Sequence, residues 1–153
     1  MEKLFCKYFA GYNLAYGQAD MARLEVDPVT KKQKPVYRWN DEEATQDIYE
    51  QHLNGEISIG IQPCNEAGLA RFGAIDVDFK DYQDYDRKKF LDTIQKYKLP
   101  LIPILSKSGG MHLYLFLDDY ISAITLRSFL SNLLPLFRLK QDTEIFPKQT
   151  KLV

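Results

Sequence analysis

The chain has 153 residues, 45% of them apolar, which suits one domain with a single sizeable core. Its net charge of -1 sets up no global basic field, so a polyanion partner has to be met by a local patch. Cys6 and Cys64 form no Cys-x-x-Cys motif, and no apolar run has the length of a signal peptide or a membrane span. The expectation is a soluble protein of a reducing, intracellular compartment, with no membrane partner.

In chain order, Phe5, Tyr8, Phe9 and Tyr12 follow helical spacing and predict a short packed helix. Its rings fit a core, although aromatic rows of this kind also stack on bases. Met21 to Val26 and Pro35 to Trp39 are β-prone, and the turn-forming, basic segment between them predicts a hairpin. Lys31, Lys32 and Lys34 then sit at its tip, either as a solvated turn or as a finger for a phosphate backbone. Asn40 to Leu53 reads as a helix, with Asn40 as N-cap, Glu43 three residues on and Gly55 as the stop. His52 falls in its last turn, where a histidine is electrostatically favoured, and it reads as structural. Ile57, Ile59 and Ile61 alternate through a strand from Glu56 to Gln62. A helix is expected from Asp84 to Lys98, a strand from Leu101 to Leu105 and another from His112 to Leu117. A last helix from Ser122 to Leu134 and a last strand from Asp142 to Phe146 follow. Strands and helices alternate through most of the chain, so the class is α/β or α+β.

The stretch Arg71 to Phe79, Arg-Phe-Gly-Ala-Ile-Asp-Val-Asp-Phe, reads as a buried strand carrying two acids. Strand alternation puts Ala74, Asp76 and Asp78 on one face and Ile75, Val77 and Phe79 on the core side. Two carboxylates about 7 Å apart on a rigid face repel each other and lose solvation when covered. A divalent cation relieves both penalties, and hard oxygen ligands suit magnesium or manganese. A solvated polar face on an edge strand is the other reading of the same residues.

Ser106-Lys107-Ser108-Gly109-Gly110-Met111-His112 joins two strands through paired glycines, which let backbone amides approach an anion closely. Ser106 and Ser108 can donate to phosphate oxygens. His112 begins the next strand, where a rigid element holds its ring for a phosphate contact or acid–base work. A glycine hairpin with a core histidine accounts for the glycines but not for the serines and lysine around them.

These two segments, with Glu144-Ile145-Phe146-Pro147-Lys148-Gln149, resemble the three motifs of the archaeo-eukaryotic primase superfamily. The likeness is to its primase-polymerase branches in phages, plasmids and conflict systems, and it spans roughly Glu56 to Gln149. The resemblance implies an α+β fold in which an RRM-like mixed sheet has helices packed on one face. A small N-terminal αβ unit precedes it, with residues 1–70 in that unit and 71–153 in the motif-bearing one. It implies a nucleotidyltransferase that makes or extends a primer in DNA replication, using NTP or dNTP, a primer and a single-stranded DNA template. Asp76, Asp78 and Glu144 would hold two Mg²⁺ or Mn²⁺ ions, with Asp142 competing for the third place. Ser106, Ser108, Gly109, Gly110 and His112 would hold the triphosphate. Lys148 would contact phosphate or template, while Lys31, Lys32 and Lys34 lie before the span of the resemblance and are a possible template contact on the hairpin reading alone. It also implies a cytoplasmic setting in a bacterium or phage-infected cell, and a helicase or further C-terminal domain as partner. Relatives usually continue past the third motif, so a fragment, a minimal form and an inactive nucleotide- or single-strand-binding module all stay open. A nuclease or glycosyltransferase built on Asp-x-Asp would leave the serine–glycine–histidine turn without a role.

Overall fold

The computed structural model describes residues 2–29, 31, 33–78, 86–106 and 109–151. Its elements in chain order are α1 (Glu2–Tyr8), β1 (Tyr16–Val26), β2 (Gln33–Asn40), α2 (Gln46–Leu53), β3 (Ile59–Gly60) and β4 (Leu69–Val77). They continue with α3 (Arg87–Tyr97), β5 (Ile102–Leu105), β6 (Met111–Ser122), α4 (Ala123–Leu133), a 3-10 turn (Leu134–Phe137) and β7 (Glu144–Phe146). The chain is α+β and divides into two units, Met1–Gln62 and Pro63–Val153. The division falls before the expected boundary at residue 70, because Leu69 and Ala70 already pair with Ser122 and Ile121 as the start of β4.

In the first unit β1 lies between β2 and β3, antiparallel to both. The hairpin is longer than its β-prone runs suggest, since pairing continues back to Tyr16 opposite Asn40. That pairing overrides the expected helix start. Asn40 is the last residue of β2, its side-chain amide donates to Gln18 Oε1 at 3.0 Å, and α2 begins only after Thr45. Of the strand expected from Glu56 to Gln62, only Ile59 and Gly60 pair with β1. Phe5 and Phe9 pack with Tyr16, Tyr49, Ile48 and Ile59, so these two rings supply core rather than a stacking surface. His52 Nδ1 lies 3.1 Å from the Ile57 carbonyl, a structural tie between α2 and the segment after it.

In the second unit the strand order is β5-β6-β4-β7, and every neighbouring pair is antiparallel. A mixed sheet was the expectation. Its parallel partners exist but are not adjacent: the β4-α3-β5 connection steps over β6, and β6-α4-β7 steps over β4. This is the split β-α-β arrangement, in which two crossovers interlock. Ile75 and Val77 of β4, Leu113 and Leu115 of β6 and Ile145 of β7 pack into one core with Phe90 of α3 and Leu126, Leu130 and Leu133 of α4. Full burial of each such side chain contributes about 1.5–3 kcal/mol. Gly73 permits this closeness, because a Cβ there would lie 2.7 Å from the Phe146 carbonyl oxygen and 2.9 Å from Leu130 Cδ1. The helices α3 and α4 thus cover one face of the sheet. The other face carries Phe72, Ala74 and Asp76 of β4, His112, Tyr114 and Phe116 of β6, and Glu144 and Phe146 of β7. Among the described residues no helix is long and apolar enough to cross a membrane.

Candidate active site

Strand register assembles the site. Asp76 lies opposite His112 on one side and opposite Glu144 on the other, so three adjacent strands put an acid, an imidazole and a second acid in one row. Directly opposed side chains have Cβ atoms about 5 Å apart. The alternation that sends Ile75, Val77, Leu113 and Ile145 into the core is what turns these three polar side chains outward. The row sits on the sheet face opposite the helices, at the end of β4 where Asp78 leaves the strand.

His112 Nε2 is 3.2 Å from Asp76 Oδ1, and both side chains are about one-third exposed. Its imidazole titrates above the ordinary histidine range. The hydrogen bond to Asp76 is the largest cause, burial opposes it, and the charges of Asp76 and Glu144 add to it. Tyr114, two residues on, meets the imidazole ring edge-on, with its hydroxyl 3.5 Å from His112 Nδ1. Burial, and secondly the Asp76 charge, push the Tyr114 phenol up. Glu144 is paired with Lys148, whose ammonium also lies 5.1 Å from the Phe146 ring centroid. Each of the two acids in the row therefore faces a cationic or proton-bearing partner from this same chain.

The glycine turn closes against the end of β4. Ser106 and Gly110 share a backbone hydrogen bond at 3.1 Å, and the Gly109 amide donates to the Ser106 carbonyl at 3.0 Å. Gly109 has φ +91°, a conformation costly for other residues. Gly110 is the tighter constraint: a Cβ there would lie 2.2 Å from the Val77 carbonyl oxygen, 3.1 Å from Ser106 Oγ and 3.3 Å from the Asp78 Cα. The turn thus brings Ser106 and the backbone of Asp78 to the same corner as His112. Arg87, the first residue of α3, donates to the Gly109 carbonyl at 3.0 Å.

The structure brings together Asp76, His112, Glu144 and Lys148, and sets Gly110, with Ser106 next to it, against the backbone of Asp78. Ser108, Lys107, Lys32 and Phe79 lie outside the described residues. Asp142 is exposed in the turn before β7 and does not share the strand with Glu144, because pairing to β4 starts at Glu144. Lys31 is an exposed turn residue with φ 56°, and Lys34 is bound to Asp27, which leaves its charge locally matched. Two residues escaped sequence reasoning. Arg87 anchors the glycine turn, and Arg127 of α4 donates to the carbonyls of Ile145 at 2.6 Å and Pro147 at 2.9 Å, tying the third motif to the helix layer. The signal for Arg127 is available: it is the one charged residue in the otherwise uncharged run from Ala123 to Leu134.

The donor set suits a hard divalent cation, since Asp76, Asp78 and Glu144 offer only carboxylate oxygens. Among the described residues, however, no three His, Cys, Asp or Glu side chains are gathered closely enough to hold an ion. Asp76 is instead turned to His112 and Glu144 to Lys148.

Comparison with the curated proteins gives no match. The family model for the archaeo-eukaryotic primase domain of TOTE conflict systems matches residues 7–153, which is nearly the whole chain and includes all three motifs. The chain belongs to that archaeo-eukaryotic primase family.

Proposed function

We propose that the second unit is a metal-dependent nucleotidyltransferase that makes or extends a primer on a single-stranded DNA template in replication. The observation that carries this reading is the Asp76–His112–Glu144 row, with the glycine turn packed against its open end. Asp76, Asp78 and Glu144 would hold Mg²⁺ or Mn²⁺, which when bound neutralises phosphate charge and lowers the barrier to pyrophosphate departure. The chain's own groups do the positioning. His112 donates to a phosphate oxygen, while Ser106 and the Gly109–Gly110 backbone line the corner where the triphosphate enters. Lys148, paired with Glu144 in this structure, would be the positive group nearest the row for a phosphate or template contact. A primer 3′-hydroxyl then gives up its proton to solvent and attacks the α-phosphorus, one P–O bond forms, the bond to the β-phosphate oxygen breaks, and pyrophosphate leaves. Catalysis of this kind rests on orientation and electrostatics, with no covalent enzyme intermediate.

A second reading, a nucleotide- or single-strand-binding module without turnover, draws on the pairing of Asp76 with His112 and of Glu144 with Lys148. Incubation with labelled NTP or dNTP, primed and unprimed template and Mn²⁺ separates the two. Extension products that vanish in Asp76→Ala support the enzyme. Nucleotide binding without any product, in every metal and nucleotide combination, supports the module and removes the enzyme reading.

A further inference from the structure

The sheet of the first unit has two unlike faces. Tyr16 and Ile59 point to the side covered by α1 and α2, where Tyr16 and Tyr49 are only 2% and 6% exposed. On the opposite face Trp39 and Tyr37 are 51% and 69% exposed. Their register partners are small. Trp39 lies opposite Gly17, Gly17 lies opposite Gly60, and Tyr37 lies opposite Ala19. The Trp39 ring comes within 3.9 Å of the place a Gly17 Cβ would occupy, while around Gly60 nothing lies within 4 Å. Two large rings thus border a floor of glycine and alanine. Large amphipathic rings left in water beside such a floor mark a surface that something else covers.

We propose that this shelf is a stacking platform for the bases of single-stranded nucleic acid. Aromatic side chains bind single strands irrespective of sequence, because every base has a π-face. Tyr37 and Trp39 are two residues apart on one strand, so their backbones are about 6.8 Å apart, twice the roughly 3.4 Å rise of a stacked strand. That spacing suits one base slotted between the two rings. Charge agrees with a polyanion. From Tyr16 to Asn40 the hairpin has five basic residues against three acidic ones, in a chain whose net charge is -1. Lys34 and Arg38 are matched by Asp27 and Asp20, so stacking dominates and phosphate attraction is secondary. The choice of nucleic acid rests on membership of the primase family, and the shelf itself does not depend on catalysis by the second unit.

Trp39 is the chain's single tryptophan, so intrinsic fluorescence reads the shelf directly. An oligothymidylate of about a dozen nucleotides is titrated into the full chain without metal or nucleotide. Saturable quenching is expected, with a salt dependence no steeper than a log–log slope of about -2. Tyr37→Ala weakens binding by roughly tenfold. Gly60→Leu fills the shelf and weakens binding as much, with an unchanged melting temperature because its side chain enters open space. Asp76→Ala quenches like the parent chain. Absence of quenching overturns the proposal, and so does an unchanged affinity in a folded Gly60→Leu. Quenching by an oligosaccharide or a proline-rich peptide while oligothymidylate is silent also overturns it. Persistent quenching in a chain that never extends a primer upholds the shelf and removes only the nucleotidyltransferase reading.

Discussion

Gly110→Ala tests the geometry of the glycine turn. The added methyl would sit 2.2 Å from the Val77 carbonyl oxygen, a backbone atom that cannot swing aside as a side chain can. Ordinary carbon–oxygen contact requires the turn to withdraw from β4 by about 1 Å. Overpacking of this sort destabilises by about 1–3 kcal/mol, which corresponds to a fall in melting temperature of roughly 3–10 °C for a chain of this size. The functional cost is larger. A displacement near 1 Å in positioning groups lowers rate on the order of 100-fold, because Ser106 and His112 move away from Asp78 together. Circular dichroism gives the melting point, and incorporation of labelled nucleotide in Mn²⁺ gives the rate. Ser131→Ala is the internal control, since Ser131 is exposed on α4 away from the turn and both readouts should stay at the parent values. If Gly110→Ala melts and incorporates nucleotide like the parent, the turn does not press on β4 and the phosphate corner is wrongly built.

Three further outcomes are expected. His112→Ala lowers nucleotide affinity, measured by calorimetry with Mn²⁺, by tenfold or more, which is about 1.4 kcal/mol. Its melting temperature moves little, since the ring is one-third exposed; unchanged affinity would make the histidine structural. Glu144→Gln loses metal-dependent incorporation, whereas Asp142→Asn keeps most of it because Asp142 lies outside β7. The reverse pattern would shift the third motif by two residues. Arg127→Met removes two charged hydrogen bonds to the Ile145 and Pro147 carbonyls and costs about 2–3 kcal/mol; a melting temperature equal to the parent's would show that β7 is held by its pairing to β4 alone.

Much of the site is local in sequence and therefore legible there. Alternation along one strand is enough to put Asp76 on the face opposite Ile75 and Val77, and the paired glycines announce a turn ahead of His112. Long-range pairing is not local, and the departures trace to it. Asn40 has every feature of an N-cap, yet its opposition to Tyr16 draws it into β2. Asp142 and Glu144 look equivalent by alternation until the register with β4 starts the strand at Glu144. The order β5-β6-β4-β7 is likewise invisible to periodicity, and it is what puts His112 and Glu144 on either side of Asp76. Charge partners hide in the same way: Asp27 reaches Lys34 only after the hairpin forms, and Arg127 meets β7 only after α4 packs on the sheet.

On the proposed function, the acids of this row, with Asp78, bind the catalytic cations. That assignment is tested most directly by a crystal structure with Mn²⁺ and a non-hydrolysable nucleoside triphosphate, read by anomalous scattering. Manganese is expected on Asp76, Asp78 and Glu144, with Lys148 released from Glu144 and triphosphate oxygens against His112 and the Gly109–Gly110 backbone. Manganese bound elsewhere, with Asp76 still on His112 and Glu144 still on Lys148, would contradict it.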